Sequence, residues 1–166
     1  AARFQHQSGA NLLILGQNER AAATMLSTAI VSLAAHQSPQ CARFYIMNLT
    51  NLDADWHDLM PTLHNALPHD VAIGRRRDVQ AMIEEIRGLI DKRSTRGDKD
   101  GRETIYLVVV GIQRARDLQI DGMDHANETA GQLSTILRDG PDLGVHTLIW
   151  CDTYNNLNRW LNSQTL

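Results

Sequence analysis

The chain is 166 residues long, 43% hydrophobic and 21% charged, the proportions of one globular domain with one core rather than of a disordered tail. Lys and Arg number 16 against 19 Asp and Glu, and the net charge of -3 excludes a domain-wide basic footprint, leaving nucleic-acid contact only to a local patch. The longest mostly apolar window, Ala21 to Ala35, carries Thr24, Ser27, Thr28 and Ser32 and falls short of the ~20 apolar residues that span a bilayer, so no insertion into a membrane is expected.

At the start, AARFQHQSGA has no apolar stretch of the kind a secretory signal needs, and the absence of an initial Met points to an excised fragment of a larger protein. Asn11 to Gly16 (NLLILG) predicts a strand buried on both faces and stopped by a turn. Arg20 to His36 predicts a helix, with Ala22, Met25, Leu26, Ala29, Ile30 and Leu33 spaced to pack one face on a sheet. Arg43 to Leu49 (RFYIMNL) predicts the second strand, and Asn51 to His69, broken by Pro61 and Pro68, a loop with a short helix. A short strand is expected at Val71 to Ile73. Asp78 then caps a helix whose stripe is Val79, Met82, Ile83, Ile86, Leu89 and Ile90.

Lys92 to Glu103 (KRSTRGDKDGRE) lacks large apolar residues and is expected to be an exposed loop. Thr104 to Val110 (TIYLVVV) is too short for a buried helix and rich in branched residues, which predicts a central strand. Ile120 to Ala130 reads as a loop, and Thr129 to Asp139 as a helix stopped by Gly140-Pro141, with glycine taking left-handed dihedrals and proline unable to continue. Val145 to Cys151 (VHTLIWC) is the last strand. Cys41 and Cys151 each border a strand-like run, where free thiols pack as small hydrophobes, and their spacing fits a reducing cytosol rather than a disulfide framework. Strands alternating with helices predict a parallel α/β sheet with ligands at the carboxyl ends of its strands.

The strand, glycine turn and Ala-rich helix of Leu12 to Ala35 resemble the opening of a P-loop NTPase. In a working G-x-x-x-x-G-K-[ST] loop, backbone N–H groups and the lysine hold phosphates while the hydroxyl binds magnesium. Counted from Gly16 the chain reads GQNERAAA, so Ala21, Ala22 and Ala23 stand where the second glycine, the lysine and the hydroxyl belong. Further blocks in the same order, ARFYIMNLTN, LPHDVAIGRRRDVQAMIEEIRGLIDKR, IYLVVVGIQRARDL and LSTILRDGPDLGVHTLIWCDT, resemble the FtsK/SpoIIIE family of ring-forming motor ATPases, including the EccC-type ATPases of type VII secretion.

The resemblance spans nearly all 166 residues and implies a RecA-like P-loop NTPase fold, a three-layer α/β sandwich on a mostly parallel central sheet, as a single domain over residues 1–166. It places the Walker B carboxylates at Val110 and Gly111, where neither acid is present, and the sensor residue at Asp152. It implies a catalytically degenerate module of a larger DNA or protein translocase, with no catalytic residue, no metal and no cofactor of its own. The partners implied are other ATPase modules of the same or another chain, with a peptide substrate or DNA. The setting is the cytoplasm, with any membrane association through other domains.

Two competing readings stand beside it. In one, Arg20 and the dipole at the helix start hold ATP with magnesium weakly, so that the domain binds or slowly hydrolyses nucleotide with Asp152. In the other, Arg75, Arg76 and Arg77 contact phosphates or nucleic acid, against the plainer reading of a solvated turn. Arg114, Arg138 and Arg159 are candidate fingers toward a neighbouring active module. Trp150, Trp160 and Tyr154 suit either a pocket for a partner's peptide or ordinary packing. His57, His64 and His69 near Asp53, Asp55, Asp58 and Asp70 lack any recognised metal spacing and are expected to be packed or surface residues.

Overall fold

The apolar runs become the strands of one sheet in the computed structural model, which describes residues 4–5, 7–96, 103–115, 118 and 128–160. The strands are β1 (Leu12–Leu15), β2 (Ala42–Asn48), β3 (Asp70–Gly74), β4 (Thr104–Val110) and β5 (Val145–Cys151), in the order β1-β5-β4-β2-β3 with every pair parallel. Helices α1 (Glu19–Ala35) and α2 (Leu59–Ala66) cover one face, α3 (Val79–Arg96) and α4 (Glu128–Asp139) the other, and α5 (Tyr154–Leu157) follows β5. The parallel α/β sheet is what the alternation of strands and helices predicts, and the three layers are what the family resemblance implies.

Alternate residues of the central strands feed two separate cores, because successive side chains on a strand point to opposite faces. Phe44, Ile46, Tyr106, Val108, Val110, Leu148 and Trp150 pack under α1 and α2. Tyr45, Met47, Ile105, Leu107, Val109 and Ile149 pack under α3 and α4. The central strands β2, β4 and β5 are buried on both faces, which is why they read as nearly unbroken apolar runs.

Several boundaries and contacts differ from the expectations. Met25 is 57% exposed, because the buried stripe of α1 is Ala22, Leu26, Ile30 and Ala34, and a residue next to Leu26 is turned about 100° away from it. Helix α3 runs on to Arg96 through part of the expected loop, since the Arg93 guanidinium donates to the carbonyls of Leu143 at 2.8 Å and Glu103 at 2.7 Å and holds the last turns down. Asp78 closes a single 3-10 turn, Arg76–Asp78, ahead of α3; its carboxylate accepts the Arg75 N–H at 2.8 Å from within the turn rather than from the cap position.

The rest of the expected loop, residues 97–102, and residues 120–127 of the second expected loop lie outside the described residues. Glu128 to Ala130 already belong to α4, with Thr129 and Ala130 buried. Gly140 stops α4 for a different reason than left-handed dihedrals, for its φ is -58. A Cβ there would lie 2.3 Å from the Ile136 carbonyl oxygen, so close backbone approach selects glycine. No helix among the described residues is long and apolar enough to cross a membrane.

Candidate functional site

Since all five strands run the same way, their carboxyl ends share one rim, on which Leu15 lies beside Cys151, Trp150 beside Val110, Val110 beside Asn48, and Met47 beside Gly74. The Gly16 turn, Asp152, Gly111 and the Arg75 to Arg77 run all follow strand ends along this rim. Residues flagged from distant parts of the sequence therefore gather on one edge.

Only Gly16, Gln17 and Asn18 separate β1 from α1. The turn is closed by its own chain: the Gly16 N–H donates to the Cys151 carbonyl at 3.1 Å and the Trp150 indole N–H donates to the Gly16 carbonyl at 2.9 Å. Asn18 caps the helix, its Oδ1 accepting the Ala21 N–H at 2.9 Å. A phosphate cradle needs free backbone N–H groups at this point, and here the cap has taken the Ala21 donor. Ala21 is exposed, whereas Ala22 and Ala23 are 3% and 1% exposed; Ala22 packs in the core that contains Val110 and Trp150. The position matched to the lysine thus points into the sheet. Arg20 is exposed at the first turn.

Glu19 opens α1 and pairs with the Arg114 guanidinium, which arrives from beyond β4 and lies 5.8 Å from the Trp150 ring centroid. A carboxylate at a helix N-terminus is favoured by the helix dipole, which adds to the Arg114 pair in holding Glu19 there. Arg114 is turned inward by this pair and is no free finger. At the Walker B positions, Val110 is buried and Gly111 adopts φ 90, the left-handed region, to start the 3-10 turn Ile112–Arg114. A Cβ on Gly111 would lie 3.1 Å from Arg114 Nη1 and 3.2 Å from the Trp150 ring. That space is filled.

Asp152 accepts two hydrogen bonds from the Asn156 amide, at 2.8 and 2.9 Å, and so ties down the first turn of α5, which Thr153 caps. Beside it, burial pushes the Cys151 thiol up to about 11, leaving it protonated and unreactive near neutral pH. Trp150 is buried on the α1 face, while Trp160 is buried on the opposite face with its indole N–H donating to the Ala115 carbonyl at 2.7 Å. Tyr154 is exposed, so the three aromatics form no common pocket, and packing is the reading that fits the two tryptophans.

The Arg75 to Arg77 run lines a cleft of about 700 Å³ at the carboxyl ends of β2, β3 and β4, together with Asn48, Leu52 and Arg114. Arg76 and Arg77 are exposed and Arg75 is half-buried. Arg77 reaches Asp78 at 3.6 Å. Arg138 is exposed and paired with Asp139, whose carboxyl it holds below its ordinary range by hydrogen bonding, and Arg159 is exposed beyond α5. The histidines disperse: His57 meets Asp58 at 3.0 Å, His64 the Val71 carbonyl at 2.8 Å and His69 the Gln37 carbonyl at 3.1 Å. Among the described residues no three His, Cys, Asp or Glu side chains converge on a point that would hold a metal. Sequence reasoning missed Glu19, Asn48 and Thr50, because the Glu19 partner lies 95 residues away and the Asn48–Thr50 pair carries no motif.

No family model and no curated protein matches the chain. Solved structures do. The cytoplasmic domain of the type VII secretion ATPase EccC of Thermomonospora curvata matches at a TM-score of 0.72 and 18% identity, over 96% of this chain and 19% of that one. EccC ATPases 2 and 3 from the same organism, in complex with a signal sequence peptide, match at 0.73 and 18% identity, over 96% of this chain and 30% of that one. EssC ATPases 2 and 3 from Geobacillus thermodenitrificans match at 0.64 and 18% identity, over 88% of this chain and 29% of that one. The chain therefore spans less than a third of the length of these relatives. It is built on the P-loop ATPase fold of the EccC and EssC domains.

Proposed function

We propose that this chain is a non-hydrolysing ATPase-fold module of a larger translocase, working by contact with other ATPase modules and with a peptide, while a different module supplies the motion. The observation that carries this reading is the closed β1–α1 turn, with Ala22 in the core and the Glu19–Arg114 pair where a nucleotide's phosphates would lie. Phosphoryl transfer depends almost wholly on positioning and on neutralising charge at the phosphates. Here the loop amide, the lysine, the hydroxyl and both Walker B acids are unavailable for that work, and Asp152 is engaged by Asn156. A multi-module setting and a peptide partner are supported by the relatives, which are chains with ATPases 2 and 3, one of them holding a signal sequence peptide. A cytoplasmic setting is supported by the same likeness, since one relative is a cytoplasmic domain.

The test is release of phosphate from magnesium ATP by the purified chain and by Arg20→Ala. The expected result is no turnover above the buffer rate in either. Magnesium-dependent turnover that Arg20→Ala removes would overturn the reading and make the exposed arginine a substitute for the lost lysine.

A further inference from the structure

The cleft beside Arg75 to Arg77 has no part in the reading above, and its position is suggestive. β2 leads into α2 on one face of the sheet, while its neighbours β3 and β4 are followed by α3 and α4 on the other. Where adjacent strands send their connections to opposite faces, a crevice opens at the carboxyl ends, and open α/β sheets bind ligands there. The cleft of about 700 Å³ lies at this point and falls within the roughly 300 to 1,000 Å³ of small-molecule sites.

Its lining has a consistent chemistry. Arg75, Arg76 and Arg77 line it together with Arg114; Asp78 is the only carboxylate paired to the run among the described residues, while Arg114 is paired to Glu19. Among its lining residues Asn48 is only 1% exposed, its Oδ1 accepting the Thr50 hydroxyl at 2.7 Å and its Nδ2 left as a buried donor without a partner. Unmet buried donors are costly, and a native fold that keeps them beside a cavity has a use for an acceptor. The amino end of α3 begins at the arginine wall, adding a dipole of the same sign. Leu52, 66% exposed, supplies an apolar surface at the mouth.

We infer that this cleft binds a phosphorylated small molecule, its phosphates across Arg75 to Arg77 and its organic part against Leu52. Arginine forks match phosphate oxygens two at a time, and the run, with Asp78 subtracted, still offsets the roughly two negative charges of a phosphomonoester. A polynucleotide is the poorer fit: it needs basic residues spread along a track and aromatic platforms for its bases, and this cleft gathers its charge in one place and has no aromatic lining among the described residues.

The experiment is calorimetric titration of the full chain with ADP, with inorganic pyrophosphate and with a single-stranded dT20. ADP and pyrophosphate are expected to bind saturably and to compete. Arg75→Ala/Arg76→Ala/Arg77→Ala is expected to weaken both at least tenfold with the thermal midpoint unchanged. Leu52→Ser is expected to weaken ADP about threefold and leave pyrophosphate unchanged, which separates a phosphorylated organic ligand from bare polyphosphate. Absence of binding by both anions, equal binding by the triple variant, or binding by dT20 alone would overturn the proposal. ADP binding that is lost in Arg20→Ala and kept in the triple variant would overturn this site and the preceding reading together. Loss in the triple variant alone leaves that reading intact.

Discussion

Ala22→Lys, which writes the missing lysine back into the loop, is expected to unfold the domain more readily and to give no ATP turnover. Ala22 is 3% exposed on the sheet-facing side of α1, in the same core as Leu26, Val110 and Trp150. A lysine there must either bury an unpaired ammonium or push α1 off the sheet. Either course costs roughly 3 to 5 kcal/mol, the range of burying an unmatched charge in a packed interior. For a domain of this length that corresponds to a fall of roughly 10 °C in the thermal midpoint, which calorimetry or circular dichroism would measure. The chemistry is not restored because the turn before α1 is three residues long and the Ala21 N–H is already bound by Asn18.

Gly111→Glu, which returns the water-activating acid, is expected to be destabilising for a separate reason. Gly111 holds φ 90, where a residue with a side chain loses about 1 to 2 kcal/mol. Its Cβ would also meet the Trp150 ring at 3.2 Å and Arg114 Nη1 at 3.1 Å. A total loss of about 2 to 4 kcal/mol is expected, and Gly111→Ala should show most of it, since the conformation and the first carbon carry the cost. A glutamate tolerated without loss would mean that Trp150 and Arg114 yield easily. Denaturant unfolding of the two variants side by side decides between these outcomes.

The fold was legible in the sequence wherever one element's burial shows in its own residues. TIYLVVV and VHTLIWC could only be strands of a sheet covered on both faces, and β4 and β5 are that. The failures share a physical cause. Met25 looked like a core residue because three- and four-residue spacing fits both flanks of a helix stripe, and only contact with the sheet chooses the flank. The end of α3 looks like a loop in sequence because its polar residues are held by Arg93 bonds to Glu103, just before β4, and to Leu143 in the turn before β5, 50 residues away.

The candidate site divides along the same line. That Ala21, Ala22 and Ala23 replace a working loop's residues can be read directly in GQNERAAA. That the vacancy is filled cannot, because Glu19 meets Arg114 across 95 residues and Trp150 closes on Gly16 across 134. Arg75 to Arg77 were visible as a run, yet the cleft they border is made by Asn48 and Arg114 from two other strand ends. Sequence order hides such a rim, and a parallel sheet assembles it.

The most direct measurement is amide hydrogen exchange over the whole chain, Leu12 to Leu26 above all, with and without millimolar magnesium ATP, since it locates any nucleotide as well as detecting it. The expected result is unchanged exchange from Gly16 through Ala23, with any ligand-dependent protection confined to the Asn48 to Leu52 and Arg75 to Asp78 segments. ATP-dependent protection of the Gly16 to Ala23 amides would show that the turn opens to hold phosphate, and would contradict a closed, non-hydrolysing module.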